Sequence, residues 1–193
     1  MSCKRLSLNK DHSKAVSKAE IRKSFLEMRR SLSPSRREGA KKDSLQLLSK
    51  KLEGSGAVLS FASKSEEIDL WPLNQALAHE GRLLLPRLIS PTEIAPYAVS
   101  DLDNLLLNPT WNVLEPDPTL CREFPLKKIG VVLVPGVAFD DRLSRLGYGK
   151  GHYDRFLVKL SCPFYGVGFK EQLANAPLEV EDHDISLTEL LLF

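Results

Sequence analysis

The chain has 193 residues, 42% of them hydrophobic and 27% charged, a balance that belongs to a folded globular protein and excludes disorder along the whole chain. The longest nearly apolar stretch, Ile129 to Phe139, contains two glycines and Pro135 and falls short of the roughly 20 residues of a membrane helix; residues 1–18 lack the apolar core of a secretory signal. Net charge is +2, yet residues 1–53 hold 15 Lys or Arg against 6 Asp or Glu, a balance of +9, and the other 140 hold 12 against 19, a balance of −7.

A basic segment ahead of an acidic body has three readings: a solvated helix face, a disordered tail, or a phosphate site. Residues 1–16 read as a disordered basic lead, and residues 17–193 as one domain. Ser17 and Glu20 form a capping box, and Ile21, Phe25, Met28 and Leu32 then recur at helical spacing. Ser33-Pro34 restarts the chain as N-cap and first helical residue, and this second helix should run to about Leu52. Ala57 to Phe61 reads as a buried strand. Asp69 should cap a helix from Leu70 to Glu80, with strands at Leu83–Leu88 and Ile94–Val99. Ser100 to Lys128 is rich in Asn, Asp and Pro and reads as a long irregular connection. Ile129 to Val134 is the strongest strand, suited to burial on both faces. A helix from about His152 to Lys159 and strands at Tyr165–Phe169 and Thr188–Phe193 complete the chain. Strands alternating with helices predict a three-layer α/β fold with a mixed, mostly parallel central sheet flanked by helices.

The three cysteines, Cys3, Cys121 and Cys162, are far apart and show no metal-ligand spacing, so neither a disulfide framework nor a zinc site is expected, and the chain reads as one from a reducing, cytoplasmic setting. The densest punctuation is Arg145-Leu146-Gly147-Tyr148-Gly149-Lys150-Gly151-His152-Tyr153-Asp154-Arg155. Glycines permit close backbone approach to an anion, and consecutive amides ahead of a helix can hold one. The loop is neither a Walker A sequence nor a dinucleotide fingerprint, and a glycine-rich turn without a ligand fits its spacing equally. Asp154, one turn into the helix, could hold a magnesium ion that bridges phosphates.

Lys18 and Arg22 stand four residues apart on one helix face, where they could share an anion. Arg29, Arg30, Arg36 and Arg37 read as solvated surface. Glu66-Glu67-Ile68-Asp69 could orient a polar substrate or a metal, or serve only to cap a helix. Asp182-His183-Asp184 offers a second magnesium ligand or a solvated acidic turn. No Ser-His-Asp or Cys-His pattern suggests a covalent nucleophile. Nucleic-acid binding is not expected, because no aromatic stacking surface accompanies the basic segment.

Val134-Pro135-Gly136-Val137-Ala138-Phe139-Asp140 followed by Arg145 to Leu157 closely resembles the signature of 5-formyltetrahydrofolate cyclo-ligases, and the resemblance extends over about residues 17 to 193. Lys18-Ala19-Glu20-Ile21-Arg22 is similar to the family's N-terminal pair of phosphate contacts, and Phe61 to Asp69 to its folate-binding segment, with Glu67 at the glutamate that meets the pterin. Leu85-Pro86-Arg87 and Trp111 to Pro116 match two further landmarks. The resemblance implies conversion of 5-formyltetrahydrofolate, polyglutamylated or not, to 5,10-methenyltetrahydrofolate by a monomer that uses ATP and Mg2+ and is independent of membranes. The formyl oxygen would take the γ-phosphoryl group, N10 would close the ring, and ADP and phosphate would leave.

ATP would then be held by Lys18, Arg22, Arg145, Leu146, Gly147, Tyr148, Gly149, Lys150, Gly151, His152 and Tyr153. The folate would meet Phe61, Ala62, Glu67, Trp111, Tyr148, Gly149, Lys150, Gly151 and His152. Arg145, Lys150 and Tyr153 would be catalytic, and Asp154 and Asp184 would hold magnesium. The sequence departs from the family's usual residues at His152, where tyrosine is common, at Lys150, where many members have glycine, and at Ala62, which is often larger. Two alternatives are a family paralogue that binds folate or nucleotide without this reaction, and a nucleic-acid-binding module led by the basic segment.

Overall fold

The structure is a computed structural model that describes residues 17–193; the expected lead at 1–16 lies outside the described residues. Helix α1 (Lys18–Ser31) opens on the expected capping box, with the Ser17 hydroxyl accepting from the Glu20 amide and the Glu20 carboxylate accepting from the Ser17 amide at 2.9 Å. Helix α2 (Pro34–Lys51) starts on Ser33, whose hydroxyl accepts from the Arg36 amide. Strand β1 (Ala57–Leu59) is two residues shorter than expected. Helix α3 (Trp71–His79) begins one residue late: Asp69 accepts from the Trp71 amide at 3.0 Å, so the carboxylate caps while Leu70 still lies outside the helix. Strands β2 (Leu83–Leu88) and β3 (Ile94–Ala98) follow.

The stretch read as an irregular connection is ordered. Strands β4 (Leu105–Asn108) and β5 (Val113–Pro116) form an antiparallel hairpin, and β6 (Arg122–Glu123) pairs with β3. Leu106, Leu107 and Leu114 are exposed while Glu115 and Pro116 are buried, so the hairpin does not show the apolar-in, polar-out alternation that marks a strand. Beyond it come β7 (Ile129–Pro135), the short pair β8 (Ala138–Phe139) and β9 (Arg145–Leu146), helix α4 (His152–Leu157), and strands β10 (Phe164–Gly168) and β11 (Glu189–Leu192).

Among the described residues the central sheet has seven strands in the order β11-β10-β7-β1-β2-β3-β6. The first five are mutually parallel; β3 runs antiparallel to β2, and β6 antiparallel to β3, at one edge. Successive side chains alternate between faces. Val58, Leu83, Leu85, Val131 and Leu133 pack with Leu48, Leu73 and Leu77 of α2 and α3. Leu59, Leu84, Val132 and Val134 pack with Phe156 and Leu157 of α4. The result is the expected three-layer α/β arrangement. Ile21 and Phe25 of α1 pack instead against Ala138, Leu146 and Leu178, so α1 lies beside the β8–β9 pair that leads to the glycine loop.

That pair is anchored by Phe139, which is fully buried. A Cβ on Gly136, Gly166 or Gly168 would come within 2.6, 2.9 or 3.0 Å of its ring, so three glycines clear the space it occupies. At Gly136 the three nearest atoms all belong to Phe139. Gly136→Ala is therefore expected to cost about 1–3 kcal/mol of overpacking strain, and Phe139→Leu in the same chain to restore part of it. Urea unfolding of the two variants checks this; equal losses with and without Phe139→Leu would show that the ring is not what the glycine accommodates.

Candidate active site

In open α/β sheets ligands bind beyond the carboxyl ends of the strands, where neighbouring strands send the chain to opposite faces. Here β1 leads to α3 on one face and its parallel neighbour β7 leads to α4 on the other. A cavity of about 550 Å3 opens at that point, lined by Phe61 and Ala62 after β1, Pro86 and Leu88 of β2, and Pro135 at the end of β7. Every residue expected at the site lines it: Lys18 and Arg22 from α1; Phe61, Ala62 and Glu67 after β1; Trp111 at the hairpin tip; Arg145 through Asp154; and Asp184.

The Arg145 side chain is 4% exposed and its Nη2 meets Asp154 Oδ1 at 2.5 Å. Its Nη1 is buried with no hydrogen-bond partner among the described residues. A buried donor left unpaired is costly, and an anion in the cavity would satisfy it. Arg22 Nε donates to the Gly147 carbonyl at 2.8 Å. Its guanidinium carbon lies 3.3 Å from where a Cβ on Gly149 would stand, and Gly149 has a φ of +90°. That position therefore demands glycine on both counts.

Lys18 Nζ is 2.5 Å from Glu181 Oε1 and 3.8 Å from Asp184 Oδ2, and the hydrogen bond to Glu181 holds its ammonium above the ordinary value. Lys150 Nζ lies 5.4 Å from the centre of the Trp111 ring. The His152 ring meets Trp111 edge-on, 87° between planes and 5.7 Å between centroids. Burial, followed by the Glu67 charge, pushes the Tyr153 hydroxyl well above its usual range despite the opposing pull of Arg145; the hydroxyl keeps its proton at neutral pH.

Glu67 is 9% exposed. Its Oε2 accepts from the Lys64 amide at 3.0 Å and its Oε1 from the Tyr148 hydroxyl at 3.2 Å. Burial raises its carboxyl above the ordinary value of 4.5, partly offset by the Lys64 amide, Arg29 and Lys64.

Among the described residues no group of three or more His, Cys, Asp or Glu side chains is gathered to hold a metal. Asp154 and Asp184 line the same cavity, and the Ile185 amide donates to Asp154 Oδ1 at 3.3 Å, which ties their segments together. Mg2+ takes one or two carboxylates when phosphate oxygens and water complete its octahedron. Two carboxylates beside a buried guanidinium whose Nη1 is unpaired fit an ion that enters with a phosphate ligand, and do not fit one caged by protein alone.

Sequence reasoning gave no role to Lys64, Leu88, Ile94, Val113, Leu114, Glu115, Glu179 or Glu181, which also line the cavity. Glu115, a carboxylate only 4% exposed, stands with Val113 and Leu114 in the Trp111 to Pro116 landmark, Lys64 lies within Phe61 to Asp69, and Leu88 and Ile94 belong to expected strands; Glu179 and Glu181 carry no local signal. The reading of the four helix arginines needs correction. Arg29 is 1% exposed. Arg36 makes two 2.7 Å hydrogen bonds to the Glu171 carboxylate and a third to the Phe193 carbonyl. Arg37 donates to the carbonyls of Arg29 and Ser65. Arg30 alone of the four is exposed. These partners are brought by the fold from segments 28 to 157 residues away, or across the bend between α1 and α2.

The fold and site define an enzyme of the open α/β kind, whose cavity is lined by the cations Lys18, Arg22, Arg145 and Lys150 together with Phe61, Leu88, Ile94 and Trp111. The chain belongs to the 5-formyltetrahydrofolate cyclo-ligase family, a ligase family whose model matches residues 14–192. It is similar to the cyclo-ligase of Mycolicibacterium smegmatis, 28% identical over 91% of this chain and 93% of that one. A relative of that family name from Schizosaccharomyces pombe is 34% identical over 90 residues, a match that spans 42% of this chain and only 40% of that protein's length. The solved structure of Aquifex aeolicus 5,10-methenyltetrahydrofolate synthetase covers 90% of this chain and 88% of its own, at 30% identity and a TM-score of 0.78. No helix among the described residues is long and apolar enough to cross a membrane.

Glu67 offers a check on the electrostatics. A carboxyl with a raised folded-state pKa binds its proton more tightly in the native chain than in the unfolded one. Stability is then fully present below pH 4.5 and falls as pH rises from there through the raised value. Glu67→Gln should lose less stability across that interval than the parent chain, read from urea unfolding at a series of pH values. Identical slopes would mean that Glu67 titrates as an ordinary surface carboxyl.

Proposed function

We propose that this chain converts 5-formyltetrahydrofolate to 5,10-methenyltetrahydrofolate in an ATP- and Mg2+-dependent reaction. The formyl oxygen takes the γ-phosphoryl group with release of ADP, N10 then closes onto the formyl carbon, and phosphate leaves. Family membership supports the overall conversion. The observation that carries the nucleotide reading is the buried, unpaired Nη1 of Arg145 in a cavity that also holds Lys18, Arg22 and Lys150.

In this reading no protein nucleophile is needed, and the chain's work is positioning and charge neutralisation. Lys18, Arg22, Arg145, Lys150 and the amides from Leu146 to Tyr153 hold the phosphates. Asp154 and Asp184 would hold Mg2+, which when bound offsets triphosphate charge. The cavity's apolar residues, Phe61, Ala62, Leu88, Ile94 and Trp111, pack the folate ring system, while Glu67 accepts from its N–H donors. Tyr153, held protonated, donates to the reacting formyl group, and Arg145 and Lys150 stabilise the charge that develops during transfer. The site residues all come from a single chain, and we propose that it acts as a monomer. We place it in the cytoplasm, in keeping with free Cys121 and Cys162, and assign it neither membrane nor nucleic-acid partners.

The direct experiment follows methenyl-folate absorbance with 5-formyltetrahydrofolate, ATP and Mg2+. Product should form only with all three, and no product where a cyclo-ligase of known activity works would overturn the proposal. A sharper check is Lys18→Ala. Loss of a charge-assisted phosphate contact should raise the KM for ATP about tenfold or more and leave the KM for folate within about twofold. Equal effects on both would remove the phosphate role of Lys18.

A further inference from the structure

Arg29 is the largest fully buried side chain of the described residues, and it does not line the cavity. Burying a guanidinium is costly unless its donors are engaged, and the usual solution is a carboxylate gripped by two nitrogens. Arg29 has no such grip. The Glu66 oxygen lies 4.0 Å from its Nη2, and its Nε has no partner among the described residues. Nη1 donates to the Gly136 carbonyl at 3.2 Å, at the end of β7, and Nη2 donates to the Tyr148 hydroxyl at 2.7 Å.

The direction of that last bond is forced. A guanidinium has five donors and no acceptor, so the tyrosine oxygen must accept. A phenol carries one proton, and among the described residues the Tyr148 hydroxyl has one further partner, Glu67 Oε1 at 3.2 Å. The hydroxyl therefore points its proton at Glu67. With the Lys64 amide on Oε2, both oxygens of that carboxylate are held by donors from the protein, and each keeps a second lone pair for a donor on a ligand.

We propose that Arg29 is a positioning residue: through the Tyr148 hydroxyl it fixes the Glu67 carboxylate in the cavity for its folate contact. The inference rests on the reading of Glu67 as a folate contact. The Arg29 charge also favours the ionised form of Glu67 against the effect of burial, as an acceptor role requires. The other charged or titratable groups around that carboxylate are Lys64, Glu66, Tyr148 and Tyr153.

The experiment is a double-mutant cycle in the turnover assay, with Arg29→Met, Tyr148→Phe and the double variant, and with folate and ATP varied separately. Each single change should raise the KM for 5-formyltetrahydrofolate about 5- to 30-fold, the weight of one or two net hydrogen bonds, with kcat and the KM for ATP within about twofold. The double variant should be no worse than the more affected single, because both changes break one chain of bonds. If Arg29→Met does not fold, Arg29→Lys serves in its place: it keeps the charge but not the fork, and should give the same pattern at a smaller amplitude. Multiplying losses in the double variant, or an equal rise in the KM for ATP, would overturn the proposal while leaving the site reading intact. Absence of turnover in the parent chain would overturn both.

Discussion

The two neighbouring parallel strands β1 and β7 send the chain to opposite faces of the sheet, and the site depends on that divergence. After β1 the chain goes to the face of α2 and α3; after β7 it goes to the face of α4. Apolar side chains cover both faces of the sheet, and the divergence leaves an opening to which several segments contribute at once. Each arrives by a different physical device. The turn after β1 is drawn in by the Glu67 carboxylate on the Lys64 amide. The glycine loop is reached through a short strand pair whose Phe139 fills space cleared by glycines. The α1 helix comes to rest on that same pair through Ile21 and Phe25.

The charge imbalance along the chain is also resolved by this geometry. Lys18 pairs with Glu181, Arg36 with Glu171, Lys41 with Asp69 and Lys51 with Glu189. In each case a cation of the first 53 residues meets a carboxylate of the acidic body. Exposed pairs of this kind contribute little individually. Together they give the two basic helices one preferred seat on a surface of opposite sign. At the cavity the same pairing has a chemical consequence: the cations proposed to meet phosphate already hold carboxylates, Lys18 with Glu181 and Arg145 with Asp154. A phosphate ligand there would compete with those carboxylates.

What could be read from the sequence follows from where its signals originate. The capping box at Ser17, the proline after Ser33 and the β-branched run from Ile129 are local, and each element stands within a residue or two of its expected place. The glycine loop and its flanking charges were legible for the same reason. The β4–β5 hairpin was not: Leu106 and Leu107 are exposed and Asn and Pro interrupt the run, so composition resembled a loop. Yet two short apolar stretches around a turn that ends on Asn112, with its φ of 47°, are also what a hairpin looks like. Arg29 was illegible outright. Its helical spacing marked a solvated face, and only the arrival of Gly136 and Tyr148, more than 100 residues away, makes that face an interior.

The two positions where the glycine loop departs from the family's usual residues share a neighbour. Lys150 and His152 both approach Trp111, and the His152 Nε2 also meets the Pro91 carbonyl at 3.0 Å, before β3. Trp111 sits at the tip of a two-stranded hairpin, an element that is marginal without support. The base of the hairpin is secured to β2: Arg87 donates to the Pro116 carbonyl at 2.7 Å and the Leu88 amide approaches the Glu115 carboxylate at 3.4 Å. Its tip is held by the cation and the imidazole of the glycine loop. The hairpin and the loop, which both line the cavity, therefore share one contact, in which Trp111 meets the Lys150 ammonium and the His152 ring.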